Sequence, residues 1–231
     1  MSKLKETQLV NDLITLARGK SAYKAKYPKN LLYWDGTRFW ADCVNLYKAL
    51  FNGRDIYDRR VGSFQSNLSK TGDCTEWGLL SQCEDISTDF SILGDKFECL
   101  YKDGHFGGYL GKEFYDDWNN GIVNCVECTP KWDDGIQFSY VDKTGRRFFK
   151  KGDTQDAGRW THHGKPTKFV EYETPAPEKP SDPLTVLEIV EKVIRGEFKN
   201  KYNPERKNEI VAQYGEAAYN KAQDILNILF N

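Results

Sequence analysis

Four of the chain's eight prolines fall within residues 173–183, in the run Glu173-Thr-Pro-Ala-Pro-Glu-Lys-Pro-Ser-Asp-Pro183. Proline fixes φ and lacks a backbone N–H, so such a run enters neither a helix interior nor a central strand. It reads as an extended, semi-rigid spacer. The 231-residue chain is thereby expected to divide into a domain over 1–172, a linker over 173–183 and a small module over 184–231.

The module is helical by pattern. Asp182 is placed to cap a helix with Pro183 at its first position. Leu187, Val190 and Ile194 follow the spacing of one buried face, and Gly196 is a stop signal. Asn203-Pro204 repeats the cap-and-proline signal before Ile210, Val211 and Tyr214, with Gly215 as the stop. A last helix carries Tyr219, Ala222, Leu226 and Leu229. The simplest arrangement is a three-helix bundle.

In the larger domain, Leu9, Leu13 and Leu16 lie on one face of a first helix. A second is expected after Asp42, carrying Cys43, Leu46, Tyr47 and Leu50 and ending at Asn52-Gly53. Beyond Gly94 the pattern changes to short alternating or β-rich segments beginning at Phe97, His105, Gly121 and Ile136, separated by Asp-Gly and Asn-Gly turns. Helices followed by an antiparallel sheet make the expected class α+β.

Charge and cysteine usage restrict the function. The 33 Lys and Arg residues nearly balance 34 Asp and Glu, for a net charge of −1, which argues against an electrostatic nucleic-acid binder. No run approaches the ~18 apolar residues of a membrane helix. The N-terminal stretch is polar and amphipathic, without the apolar core of a secretory signal. The six cysteines are therefore expected as reduced thiols.

Cys43 is the best placed of them for chemistry, because a helix N-terminus favours a thiolate. A base is then needed within hydrogen-bond reach. His105 opens a strand after Asp103-Gly104 and shares a face with Gly107 and Tyr109; the glycines suggest room for a substrate. On the next strand Cys125, Glu127 and Thr129 share a face, and Glu127 is placed to orient the imidazole, the third role of a triad. The rival chemistry is a metal site, since Cys125 and Cys128 have the spacing of a zinc knuckle. On a strand, however, the two point to opposite faces, and no second pair matches. No cofactor is implied. His162 and His163 stay unassigned.

The ordered set Asp42-Cys43, then Gly104-His105-Phe-Gly-Gly-Tyr-Leu-Gly111, then Val123-Asn-Cys-Val-Glu127-Cys-Thr resembles the papain-like peptidoglycan hydrolases of the NlpC and CHAP kind, in the form with Glu in the third place found in many phage lysins. The approach Leu32-Tyr-Trp-Asp-Gly-Thr-Arg-Phe-Trp-Ala-Asp-Cys43 is similar to that group as well. The resemblance implies a papain-like fold, Cys43, His105 and Glu127 as the catalytic set, and Tyr33, Trp34 and Asp42 at the substrate. It implies thiol acyl transfer on an amide of the peptidoglycan stem. Val44-Asn45 replaces the Ser-Gly that commonly follows the nucleophile, which leaves endopeptidase and N-acetylmuramoyl-L-alanine amidase both open.

The segment Glu188-Ile-Val-Glu-Lys-Val-Ile-Arg-Gly-Glu-Phe198, with Glu205-Arg206 and Tyr214-Gly215, resembles the CW-seven cell-wall-binding repeat. That resemblance implies Arg195, Gly196, Phe198 and Arg206 at a surface for peptidoglycan. From Leu184 onward acidic and basic residues balance at seven each, unlike a module held by wall polyanions. The whole then reads as an endolysin made in the host cytoplasm and reaching the wall through holes made by a holin, with no membrane insertion of its own. A non-catalytic wall-binding protein and an antibacterial amidase effector are the alternatives.

Overall fold

The computed structural model describes residues 3–23, 32–57, 68–172, 211, 215–216 and 218–222. The chain divides into two compact units, Met1–Glu173 and Thr174–Asn231. In the first, β1 (Leu4–Lys5), α1 (Glu6–Arg18), β2 (Ser21–Tyr23), β3 (Tyr33–Trp34) and β4 (Phe39–Ala41) precede α2 (Cys43–Phe51) and α3 (Glu76–Leu80). Then come β5 (Glu84–Ser87), a 3-10 turn (Phe90–Ile92), β6 (Phe97–Lys102), β7 (His105–Asp116), β8 (Gly121–Thr129), β9 (Gly135–Val141), β10 (Arg147–Phe148), β11 (His162–Lys165) and β12 (Val170–Glu171).

This architecture corrects the expected class. The chain is mostly β, built on one seven-stranded sheet in the order β10-β9-β8-β7-β6-β11-β5, antiparallel at every pairing. It is not the papain-like arrangement of helices followed by a sheet. Strands already surround α1, and β2, β4 and β3 form a sheet of their own before α2 begins. After α2 the only α-helix in this unit's described residues is the five-residue α3. The physical reason is that strands of two or three residues are too short to carry a period of their own and form only by pairing, in one case from Leu4 to Val170. Nor do the described residues of the second unit show a three-helix bundle: those in helical conformation are 211, 216 and 218–222, and apart from Gly215 the rest of 184–231 lies outside the description.

The longer elements follow from local chemistry. In α1, Leu9, Leu13 and Leu16 are fully buried along one face. Asp42 caps α2, its carboxylate accepting the backbone N–H of Asn45 at 2.8 Å. Asp103-Gly104 makes a two-residue hairpin that sets Lys102 opposite His105; Gly104 there has φ 68°, a conformation glycine adopts without strain.

Successive residues of β7 face opposite sides of the sheet, and their neighbours identify the two sides. A Cβ on Gly108 would lie 2.8 Å from the Tyr47 hydroxyl of α2, whereas one on Gly107 would lie 2.9 Å from the Trp160 ring. The side of Phe106 and Gly108 therefore carries α2 and the main core, with Leu46, Phe51, Phe97, Val126 and Phe138. The side of His105 and Gly107 carries a smaller core of Phe90, Leu93, Leu100, Tyr109, Cys125, Val141 and Trp160. The two glycines thus admit Tyr47 and Trp160 rather than opening room for a substrate.

Candidate active site

Cys43 is the first residue of α2 and only 3 % exposed. Its thiol faces Glu76 Oε1 at 3.8 Å and receives hydrogen bonds from the backbone N–H of Phe106 and Val44. Burial, then the charges of Asp42 and Glu76, push the thiol up to about 12. A helix N-terminus contributes only about half a unit charge, which desolvation and two carboxylates outweigh. The resting group is therefore a thiol, where the sequence suggested a thiolate. Peptide-resolved alkylation with iodoacetamide is expected to modify Cys43 ever faster as pH rises, with no plateau below about pH 10. A plateau near neutrality would show that the thiolate forms there.

His105 and Glu127 meet on the opposite side of β7 and β8. His105 Nε2 lies 2.7 Å from Glu127 Oε2, a carboxylate with no solvent exposure. The sequence reading missed the third member. Arg147, on β10, donates from Nε to Glu127 Oε1 at 2.8 Å and from Nη2 to Glu127 Oε2. Burial alone would raise the Glu127 pKa; the Arg147 charge and the His105 hydrogen bond overcome it and hold the carboxyl down at about 2. An ionised carboxylate only accepts. A neutral His105 therefore carries its proton on Nε2, leaving the lone pair on Nδ1. The imidazole stacks on Trp160 with centroids 5.1 Å apart and planes 13° apart. The Arg147 guanidinium lies 4.9 Å from the Trp132 ring centroid and 5.6 Å from that of Trp160.

Cys43 and His105 approach through the backbone. The β7–β8 ladder starts at Gly107 opposite Glu127, so Phe106 stands one residue outside it. The Phe106 N–H that reaches the thiol belongs to the residue after His105. No hydrogen bond joins the imidazole to the thiol among the described residues. A buried imidazole, held by its carboxylate, and a buried thiol thus lie on opposite sides of the sheet near the same end of β7.

The residues assigned to substrate have structural duties. Asp42 is the α2 cap and also accepts from Asn45 Nδ2 at 2.6 Å. Trp34 packs on Phe39 at 4.6 Å between centroids and edge-on to Tyr57 at 5.8 Å. Tyr33 pairs with Trp40 between β3 and β4. Tyr23 stands nearer the chemistry: burial and then the charges at Cys43, Asp42, Cys128 and Glu76 push its phenol up to about 12. Cys125 and Cys128 turn to opposite sides, Cys125 Sγ to Asn124 Oδ1 at 3.2 Å and Cys128 Sγ to the Ala41 carbonyl at 3.3 Å.

The paired histidines divide across β11. His163 Nδ1 meets Glu98 Oε2 at 2.5 Å in the interior, while His162 lies among aromatic rings. Arg195, Gly196, Phe198 and Arg206 lie outside the described residues. The residues missed from sequence, Glu76, Arg147, Trp160 and Tyr23, had one available signal: an anion buried on a central strand requires a cation, and Gly145-Arg-Arg-Phe148 supplies the candidates. A scan against family models finds no match, and no curated protein or solved structure is found similar to the chain.

Proposed function

We propose that the chain is a cysteine hydrolase of peptidoglycan that cuts an amide bond of the peptide stem. The observation carrying this reading is the buried His105–Glu127 contact at 2.7 Å beside the residue whose N–H bonds the Cys43 thiol. It rests on these side chains and on the sequence resemblance to wall hydrolases, since the mostly-β architecture departs from the fold that resemblance implied.

On reaction, sulfur bonds the amide carbon and the thiol proton goes to His105 Nδ1, a transfer that requires the end of β7 to open, since the resting groups lie on opposite sides of the sheet. The carbonyl electrons move onto oxygen, where the backbone N–H of Cys43 stabilises them. Glu127 and Arg147 hold the imidazolium that forms. The imidazolium gives its proton to the departing amine, leaving a thioester. His105 then takes a proton from water, hydroxide equivalents attack the thioester, and the returned proton restores the thiol. Since the resting thiol is protonated, proton transfer belongs to the reaction with substrate rather than to a standing ion pair. Residues 184–231 serve as a wall anchor through Arg195, Gly196, Phe198 and Arg206, raising the local substrate concentration.

Mass spectrometry of fragments released from purified walls tests the reading and names the bond. A new alanine N-terminus with free lactyl groups means amidase; a new amine within the stem means endopeptidase. Cys43→Ala is expected to release neither. Fragment release by that variant at the wild-type rate would sink the mechanism. The protonated thiol, without an imidazole hydrogen bond, favours a second reading: a wall-binding protein that does not cleave. In that case intact protein sediments with walls and no fragments appear.

A further inference from the structure

We propose that Trp77, Tyr101 and His162 form a subsite that stacks one pyranose ring of the glycan strand beside Cys43. The inference rests on the peptidoglycan reading and names where the sugar of that substrate lies.

Trp77 belongs to α3, whose Leu79 and Leu80 are fully buried, yet its own side chain is 48 % exposed. Two rings hold it from the side. Tyr101 meets it at 5.2 Å between centroids with planes 65° apart, and His162 at 5.4 Å with planes 76° apart. Tyr101 and His162 also touch each other, at 5.8 Å and 60°. Neither neighbour lies parallel over the indole, and about half of the residue stays open to a ligand. An aromatic ring braced in this way loses little freedom when a ligand lands on it.

The patch adjoins the thiol along three elements. Trp77 follows Glu76, whose carboxylate lies 3.8 Å from Cys43 Sγ. Tyr101 pairs across β6 and β7 with Phe106, the residue whose N–H reaches the same sulfur. His162 pairs with Tyr101 across β11 and β6. A molecule with its scissile carbonyl at Cys43 has Trp77 as a neighbour through Glu76.

Its rim is polar. His162 Nδ1 is 3.0 Å from Thr161 Oγ1, and that hydroxyl donates to the Tyr101 carbonyl at 3.2 Å. An apolar platform one ring wide with imidazole and hydroxyl groups at its edge matches a pyranose, which offers a C–H face and a hydroxyl rim. Tryptophan combines a large apolar surface with such amphipathic contacts.

Calorimetric titration of the full chain with tri-N-acetylchitotriose tests the subsite without turnover. Wild type is expected to bind, and Trp77→Ala to bind about tenfold more weakly, the effect of about 1.4 kcal/mol. Trp77→Phe, which keeps a flat ring, is expected to recover most of the loss. Circular dichroism and the thermal midpoint check that the half-exposed ring was removed without unfolding. Equal affinities for wild type and Trp77→Ala, or no binding by wild type, overturn the proposal. Because the titration needs no cleavage, its outcome is separate from that of Cys43→Ala on walls.

Discussion

The Arg147→Met variant is expected to lose about 3–5 kcal/mol of stability at neutral pH, the usual cost of stranding one partner of a buried ion pair. That is a large share of the ~5–15 kcal/mol that holds a domain together. The charge left behind is Glu127, which has no exposure and only His105 to replace the guanidinium. The pH dependence gives a sharper test. In wild type the Glu127 carboxyl is held at about 2, below its ordinary 4.5. Its stabilisation is therefore complete above the ordinary value and is lost as pH falls through about 2. Without Arg147, burial governs and the folded value rises above the ordinary one, so the contribution reverses. Stability of the variant should then increase on mild acidification from neutrality, while that of wild type does not. Denaturant titrations at several pH values measure both curves. The double variant Arg147→Met with Glu127→Gln removes the charge altogether and should recover part of the loss. A variant that tracks the wild-type curve would mean the guanidinium is not the counter-charge.

The second large effect is on turnover. His105→Asn is expected to lower the rate of fragment release from purified walls by about 10²–10⁴-fold, the range for removing a general acid and base. Stability should change far less than in the arginine variant, because Glu127 keeps its two hydrogen bonds from Arg147. The comparison separates the chemical role of the imidazole from its packing on Trp160. Rates within tenfold of wild type would remove His105 from the mechanism.

These two residues also show how far the sequence could be read. His105 and Glu127 were recoverable because strand alternation and an Asp-Gly turn are local signals. They place both side chains on one side of adjacent strands, as Gly107 opposite Glu127 shows. The apolar stripe of α1 and the Asp42 cap of α2 are equally local. Arg147 was not recoverable. It sits on a two-residue strand, and its partner lies in a strand two places away in the sheet. The class failed for a related reason: Ser21–Tyr23, Tyr33–Trp34 and Phe39–Ala41 are too short to show a period and become strands by pairing in one small sheet. The thiol was misjudged because its pKa depends on burial and on Glu76, which comes from a separate helix. Trp160 reversed the reading of Gly107, since a glycine leaves space without indicating what fills it.

The pairing of β1 with β12 has a consequence for how the unit comes into being. Leu4 sits beside Val170 in a parallel ladder, and α1, next in sequence, lies against β9 and β12. The β1 segment therefore has no strand partner until almost the whole unit has been synthesised. Closing so long a loop is slow, though its entropic penalty grows only logarithmically with length. The central hairpins, whose strands are neighbours in sequence, can form first and serve as the surface onto which the early helix settles. The apolar stripe of Leu9, Leu13 and Leu16 stays uncovered during that interval. Aggregation of this protein during synthesis should accordingly be most sensitive to changes in that stripe, before any effect on the finished molecule is felt.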